Sequence, residues 1–364
     1  MNQKQLLPAF FLAFFLPTFV FASSPRDTLS FPIGDTVGGR PAPFFLVSGG
    51  ADFYYRYDPA RTAGNDLTSF TRSNDQFNLG MVSLRLEHQY KQVGMVADLG
   101  FGPREQEYAY PDHGIVQAIK QLYVTYGPAA WLKLTAGTWA THLCYESPDA
   151  AANRNYSMSY LFSNDPFSHT GVKAEVSSGK SGFMIGIANP CNYRSIPDSA
   201  HANKNVIAQY SYAPNDNVKL SLNYFGGRDI YDNRSHQYDL VVTAKAGNLL
   251  SLGLNASVNR SSRASEKYSF SYCWWGSALY LNLDPSPWLG ITLRTEYFRD
   301  EQGVCLPAPA TVSAATLSFN LKAGGLTIIP EFRVDHASKS IFTNADRTPV
   351  PTAGSFLLAA VYAF

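Results

Sequence analysis

Alternation of apolar and polar residues with period two is the feature that most restricts this chain. It is plainest between Val116 and Val176. There, two alternating segments, Val116–Tyr126 and Trp131–Leu143, flank the short turn Gly127–Ala130; a long polar segment follows, then a third alternating segment, Ser168–Ser177. Period two puts successive side chains on opposite faces, which is strand geometry. Segments of about ten residues, joined alternately by tight turns and long polar loops, have the rhythm of a transmembrane β-barrel. The rest of the chain repeats it.

In strand Phe44–Arg56, Phe45, Val47, Ala51, Phe53 and Tyr55 share one face, and Ser48, Asp52, Tyr54 and Arg56 the other. In Gln76–Tyr90, Val82, Leu84 and Leu86 alternate with Ser83, Arg85, Glu87 and Gln89. A charged face of this kind suits a wet lumen better than a protein core. Lys91–Gln92, Ser178–Ser181, Pro214–Asn217, Gly247–Asn248, Asp284–Pro287 and Gly324–Gly325 supply further tight turns. The reading predicts an all-β, antiparallel, up-and-down transmembrane barrel of about 16 strands over residues 44–364, with short periplasmic turns and long extracellular loops. The segment Asn153–Phe162 could itself pair, so the count carries a margin of about two strands. Aromatic residues gather at the predicted strand ends: Tyr90, Tyr126, Trp131, Tyr212 and Trp288 near the turns, and Tyr55, Phe101, Tyr224 and Tyr297 near the loops. They form two interfacial girdles.

The N-terminal end fits export. Lys4 precedes an apolar run, Leu6 to Phe21, and Val20-Phe21-Ala22 offers small residues for cleavage after Ala22. Residues 1–22 read as a signal peptide, and residues 23–43, rich in Pro, Gly and Ser, as a periplasmic leader. No later run of about eighteen apolar residues exists to form a spanning helix. The expected location is the outer membrane of a Gram-negative cell. Removing Lys4 leaves 28 basic residues against 28 acidic ones, which excludes the basic surface that nucleic acid requires. A mean hydropathy of −0.14 is low for a membrane protein, but only every second barrel residue faces lipid. Phe356, Leu358, Ala360, Tyr362 and Phe364 share one face of the C-terminal strand. Phe364 there resembles the signal read by the outer-membrane assembly machinery.

Four pieces in fixed order carry a family resemblance: Ile119-Lys-Gln-Leu-Tyr-Val-Thr-Tyr126, Leu134-Thr-Ala-Gly137, Asn155-Tyr-Ser-Met-Ser-Tyr-Leu-Phe162 and Pro166-Phe-Ser-His-Thr-Gly171. In these the chain resembles the OmpL-like β-barrel porin-2 family. Cys144, Cys191 and the strand exit Asn189-Pro-Cys191 depart from its pattern. The resemblance implies an outer-membrane porin, with no cofactor and no defined substrate. The expected function is a water-filled channel for passive diffusion of small hydrophilic solutes or ions through outer-membrane lipid. The alternative is a structural or surface-interaction protein that uses the barrel as an anchor. A homo-oligomer stays open.

The residues expected to line the pore are Arg85, Glu87, Lys173, Glu175, Arg294, Glu296, Glu331, Arg333 and Asp335. They lie at i, i+2 spacing on the non-lipid face and either set up a transverse field or neutralise one another. The long loop Cys144–Phe167 is expected to fold inward as a constriction, with Asp149, Arg154, Tyr156 and Asp165 at the narrowing. Two disulfides are expected on the loop side, Cys144–Cys191 and Cys273–Cys305, since an exported protein meets an oxidising compartment. No catalysis is expected. Ser163, Asp165, Ser168 and His169 have the residue types of a hydrolase triad, but no Gly-x-Ser-x-Gly elbow occurs. His142, Cys144 and Glu146 only mimic a metal site.

Overall fold

The computed structural model describes residues 36–37, 40–41, 44–197, 201–264 and 269–364. The export signal expected at residues 1–22 lies outside the described residues. So does the leader, apart from a two-residue pairing of Thr36–Val37 with Arg40–Pro41.

Sixteen antiparallel strands close into one barrel. They are β1 Phe44–Tyr57, β2 Gln76–Tyr90, β3 Val93–Phe101, β4 Ile119–Ala129, β5 Leu132–Ala140, β6 Ser168–Ser178, β7 Ser181–Ala188 and β8 Asn205–Asn215. The circuit continues through β9 Val218–Arg228, β10 Arg234–Ala246, β11 Leu250–Ala264, β12 Ser269–Ser286, β13 Leu289–Asp300, β14 Ala310–Ala323, β15 Leu326–Ala337 and β16 Thr352–Ala363. Each strand pairs with its sequence neighbours, and β16 closes on β1 with Ala363 opposite Gly50 and Phe356 opposite Tyr57. Closure leaves no edge whose N–H and C=O groups would face hydrocarbon. The backbone N and O of Phe364 bond to those of Gly49 and extend the seam.

The alternation read in the sequence is the inside–outside pattern of the wall. Phe45, Val47 and Phe53 of β1 are exposed on the outer face, while Ser48, Asp52, Tyr54 and Arg56 are buried inside. The expected girdle residues Tyr90, Tyr126, Trp131, Tyr212, Trp288, Phe101 and Tyr297 are all exposed on the outside. The strand expected from Asn153 to Phe162 does not form. Part of it becomes the short helix Tyr160–Asn164, capped by Ser159, whose hydroxyl accepts from Phe162 N. Likewise Thr141–Leu143 leave β5 early, and residues 114–118 form a 3-10 turn before β4.

The long connections fold onto one another and into the barrel. We name those after β1, β3, β5 and β7 L1 (58–75), L2 (102–118), L3 (141–167) and L4 (189–204). Phe70 of L1, Tyr108 of L2, and Met158, Phe162 and Phe167 of L3 share one apolar cluster. Tyr160 and Leu161 of L3 pack against Trp274, Tyr280, Phe298 and Val312 of the wall. The interior of a sixteen-strand barrel is too wide for wall side chains to fill, and loops supply the packing.

Candidate functional site: the inward loop and the lumen wall

L3 is an irregular segment inside a barrel, so its backbone N–H and C=O groups need partners. Charged side chains of the wall supply them. Glu331 accepts from Tyr156 N at 2.8 Å and Ser157 N at 3.1 Å. Glu296 accepts from Tyr160 N at 2.7 Å. Arg294 donates to Ser157 O at 2.6 Å and Met158 O at 3.1 Å, and Arg333 to Met158 O at 2.8 Å. Arg294 also bonds Glu146 of L3 at 2.6 Å. The hydroxyls of Tyr156 and Tyr160 donate to Asp52 at 2.6 Å and Asp335 at 3.0 Å. Gly80 makes room for the Tyr156–Asp52 contact: a Cβ there would sit 1.6 Å from Asp52 Oδ2.

The loop's first residues are held by a different quadrant. His142 Nε2 lies 3.0 Å from Tyr224 O, Cys144 N donates to Asp239 at 3.2 Å, and Tyr145 N donates to Asn255 at 3.2 Å. L2 clamps from above. The Arg104 guanidinium sits 4.7 Å from the Tyr156 ring centre and 4.9 Å from that of Phe70, and 3.6 Å from Asp52.

One stretch of L3 faces open space. The Asp149 side chain is 35% exposed and that of Arg154 31%. Asp149 reaches Lys120 of β4 at 2.6 Å, and Arg154 pairs with Asp284 of β12. The facing wall, β2 to β6, carries Arg85 bonded to Glu87 at 2.7 Å and to Asp98 at 3.2 Å. Lys133 and Lys173 meet Glu175 there, at 2.6 Å and 3.5 Å.

The sequence expectations therefore divide. All nine residues expected to line the pore point inward. Arg85, Glu87, Lys173 and Glu175 stand on the partly open wall. Arg294, Glu296, Glu331, Arg333 and Asp335 do not meet water: they are buried beneath L3, because the loop's backbone needs their charges. Of the four residues expected at the narrowing, Asp149 and Arg154 face open space, while Tyr156 and Asp165 are buried anchors. The i, i+2 pairs bond within one wall, as in Arg294–Glu296 at 2.8 Å and Arg333–Asp335 at 2.9 Å. That is the neutralising arrangement and not a transverse field. Sequence reading gave no role to Lys120, Asp98, Asp52 or Arg104, although it placed Asp52 on the inner face of β1, and the inward parity of Lys120 and Asp98 was readable from β4 and β3.

Neither expected disulfide is present; all four cysteines are free. Cys273 has the outward parity of Trp275 and Leu279 on β12, whereas Cys305 packs against the inward apolar cluster. The two thiols lie on opposite sides of the wall. Cys144 donates to Asn255 Oδ1 at 3.0 Å, and Cys191 packs beside Trp139 and Phe225. The triad-like residues are also separated. The Ser163 hydroxyl donates to Ser159 O, Asp165 accepts from Gln237, and His169 Nε2 lies 3.3 Å from Thr141 Oγ1. His142, Cys144 and Glu146 diverge to Tyr224, Asn255 and Arg294, and no cluster suited to a metal exists among the described residues.

In L2, burial pushes the Glu105 carboxyl up to about 8, against the opposing pull of Arg194 and Lys120. Arg194 of L4 lies 3.7 Å from it, and both Glu105 oxygens lack hydrogen-bond donors.

Residues 45–364 match the model of the family described as "Putative beta-barrel porin-2, OmpL-like". The chain belongs to this porin family. It is an outer-membrane channel for solute diffusion. No curated protein matches its sequence. Among solved structures, it is similar to the anion-selective porin from Comamonas acidovorans, with 9% identity, 89% of this chain and 100% of that chain covered, and a TM-score of 0.64. It is also similar to the outer-membrane channel DcaP of Acinetobacter baumannii, with 11% identity, 91% and 99% covered, and a TM-score of 0.61. OmpT of Vibrio cholerae follows at 12% identity, 89% and 98% covered, and a TM-score of 0.58. At these identities the likeness concerns the fold, and the lumen of this porin has to be read from its own residues.

Proposed function

We propose that small hydrophilic solutes cross this porin by passive diffusion, and that L3 sets the narrowest cross-section between Asp149–Arg154 and the β2–β6 wall. The observation that carries this reading is the exposure of Asp149 and Arg154, 35% and 31%, on a loop that is otherwise largely buried, beside the partly open wall that holds Arg85 and Glu87. The charges flanking the slot are mutually paired, which supports weak selection by charge and stronger selection by size. No catalytic step is part of the reading. Deleting Ala150–Asn155 tests it. Single-channel conductance in planar bilayers should rise while the protein keeps a β-rich circular dichroism spectrum. Unchanged conductance in a folded deletion variant would remove the constriction role and favour the alternative, a surface-interaction protein anchored by its barrel. The same reading assigns export to residues 1–22 and recognition by the assembly machinery to Phe364, whose side chain is 62% exposed on the outer face.

A further inference from the structure

A cavity of about 480 Å³ opens above β8–β11, between the end of L3, L4 and the turn after β9. Its size falls within the usual range of small-molecule sites, about 300–1,000 Å³. Its floor differs from the rest of the lumen. Amides and hydroxyls replace the ion pairs: Asn259 donates to Gln237 at 3.2 Å, Gln237 to Ser257 at 3.0 Å, and Ser261 to Asn259 at 2.6 Å. The charged residues that line the cavity are already engaged, Asp165 by the Gln237 amide. Glu107 accepts from Phe70 N, Asp229 accepts from Tyr231 N and Asn233 N, and Arg228 pairs with Asp232.

Aromatic rings complete the lining. Phe167 and Phe225 are buried, and Tyr110 and Tyr272 are more accessible. Hydroxyl donors around an apolar ring face are the chemistry of a sugar. Three acidic lining residues against one arginine oppose an anion.

We propose that this vestibule is a binding site for an uncharged polyhydroxylated solute of one or two sugar rings. The proposal rests on the porin reading, since it names a solute class for that channel.

The test uses the full mature porin in planar bilayers, with sucrose and glucose as neutral probes and gluconate as the anionic control. A neutral sugar added on the long-loop side should reduce the current saturably, and gluconate should not. Replacing both accessible rings, Tyr110→Ala with Tyr272→Ala, should raise the half-saturating concentration about tenfold, the equivalent of about 1.4 kcal/mol. A current loss that never saturates, equal saturation in the double variant, or equal block by gluconate would each overturn the proposal. A protein with no salt conductance would instead sink the channel reading. In that case sugar titration calorimetry in detergent decides the site alone: saturable heat supports it and its absence overturns it.

Discussion

Arg85–Glu87 on β2 and Arg294–Glu296 on β13 are the same kind of pair at the same spacing on the same inner face, bonded at 2.7 and 2.8 Å. Their surroundings differ. The Arg85 side chain is 22% exposed, while that of Arg294 is fully buried. On β2 the pair stands in the wall of the slot. On β13 its arginine holds five atoms of L3 and β14, including two backbone carbonyls. A charge on the inner face of a barrel is therefore not by itself a pore charge. What covers it decides whether it acts on a passing solute or on the backbone of a loop.

The largest expected effect comes from breaking the buried half. Arg294→Ala would leave Glu146 and Glu296 without their closest cation and take the donor from the Ser157 carbonyl, while Met158 O keeps Arg333. Loss of one partner from a buried ion pair costs about 3–5 kcal/mol. Urea unfolding in detergent should show that loss, and bilayer recordings should show larger, noisier conductance as L3 leaves its seat. A variant of ordinary stability with quiet, unchanged channels would mean that β13 does not hold the loop.

A smaller effect should come from acid and base acting on the L2–L4 contact. Glu105 has its folded pKa raised to about 8 by burial, above the ordinary value near 4.3. The folded state then binds the proton more tightly than the unfolded one, so the contact is most stable at acid pH. It weakens as pH rises through the interval from about 4.5 to 8. Thermal unfolding followed across that range should show the decline in the wild type and a flatter profile in Glu105→Gln. A wild-type profile that rises through the interval would contradict the burial argument.

The smallest effect on stability, and the sharpest on selectivity, belongs to the open half. Lys173→Gln together with Lys133→Gln should cost less unfolding free energy than Arg294→Ala, because these side chains are 15% and 19% exposed and Arg294 is fully buried. Yet the slot would lose two cations beside Glu175. Zero-current potentials across a salt gradient should move toward cation preference. A large stability loss with no shift in potential would show that the two halves do not differ as described.

Much of the barrel was legible because one face meets hydrocarbon. That solvent imposes period two on every strand, so the strands, their turns and the outer girdles can be read from residue order. L3 was legible as an inward loop for a related reason: Tyr156, Tyr160 and Phe162 in a long polar connection call for burial. The seat it occupies was not legible. Glu331 meets Tyr156 N across 175 positions and Arg294 meets Glu146 across 148, and no local pattern separates these charges from Arg85 and Glu87. The cysteine pairing failed for a readable reason. Strand parity places Cys273 with the outward residues of β12, so shared height on the barrel was no argument for a bridge.

The seat of L3 also fixes an order of events. Its anchors come from both sides of it in the chain: Asp52 of β1 precedes the loop, and Arg294, Glu331 and Arg333 of β13 and β15 follow it. Closing loops of this length is entropically costly and slow. L3 cannot complete its bonds until the later strands are in register, so its seat is completed only as the barrel closes. The loop position that we propose narrows the lumen is therefore fixed late in assembly, and single-channel conductance recorded during refolding should fall as L3 seats.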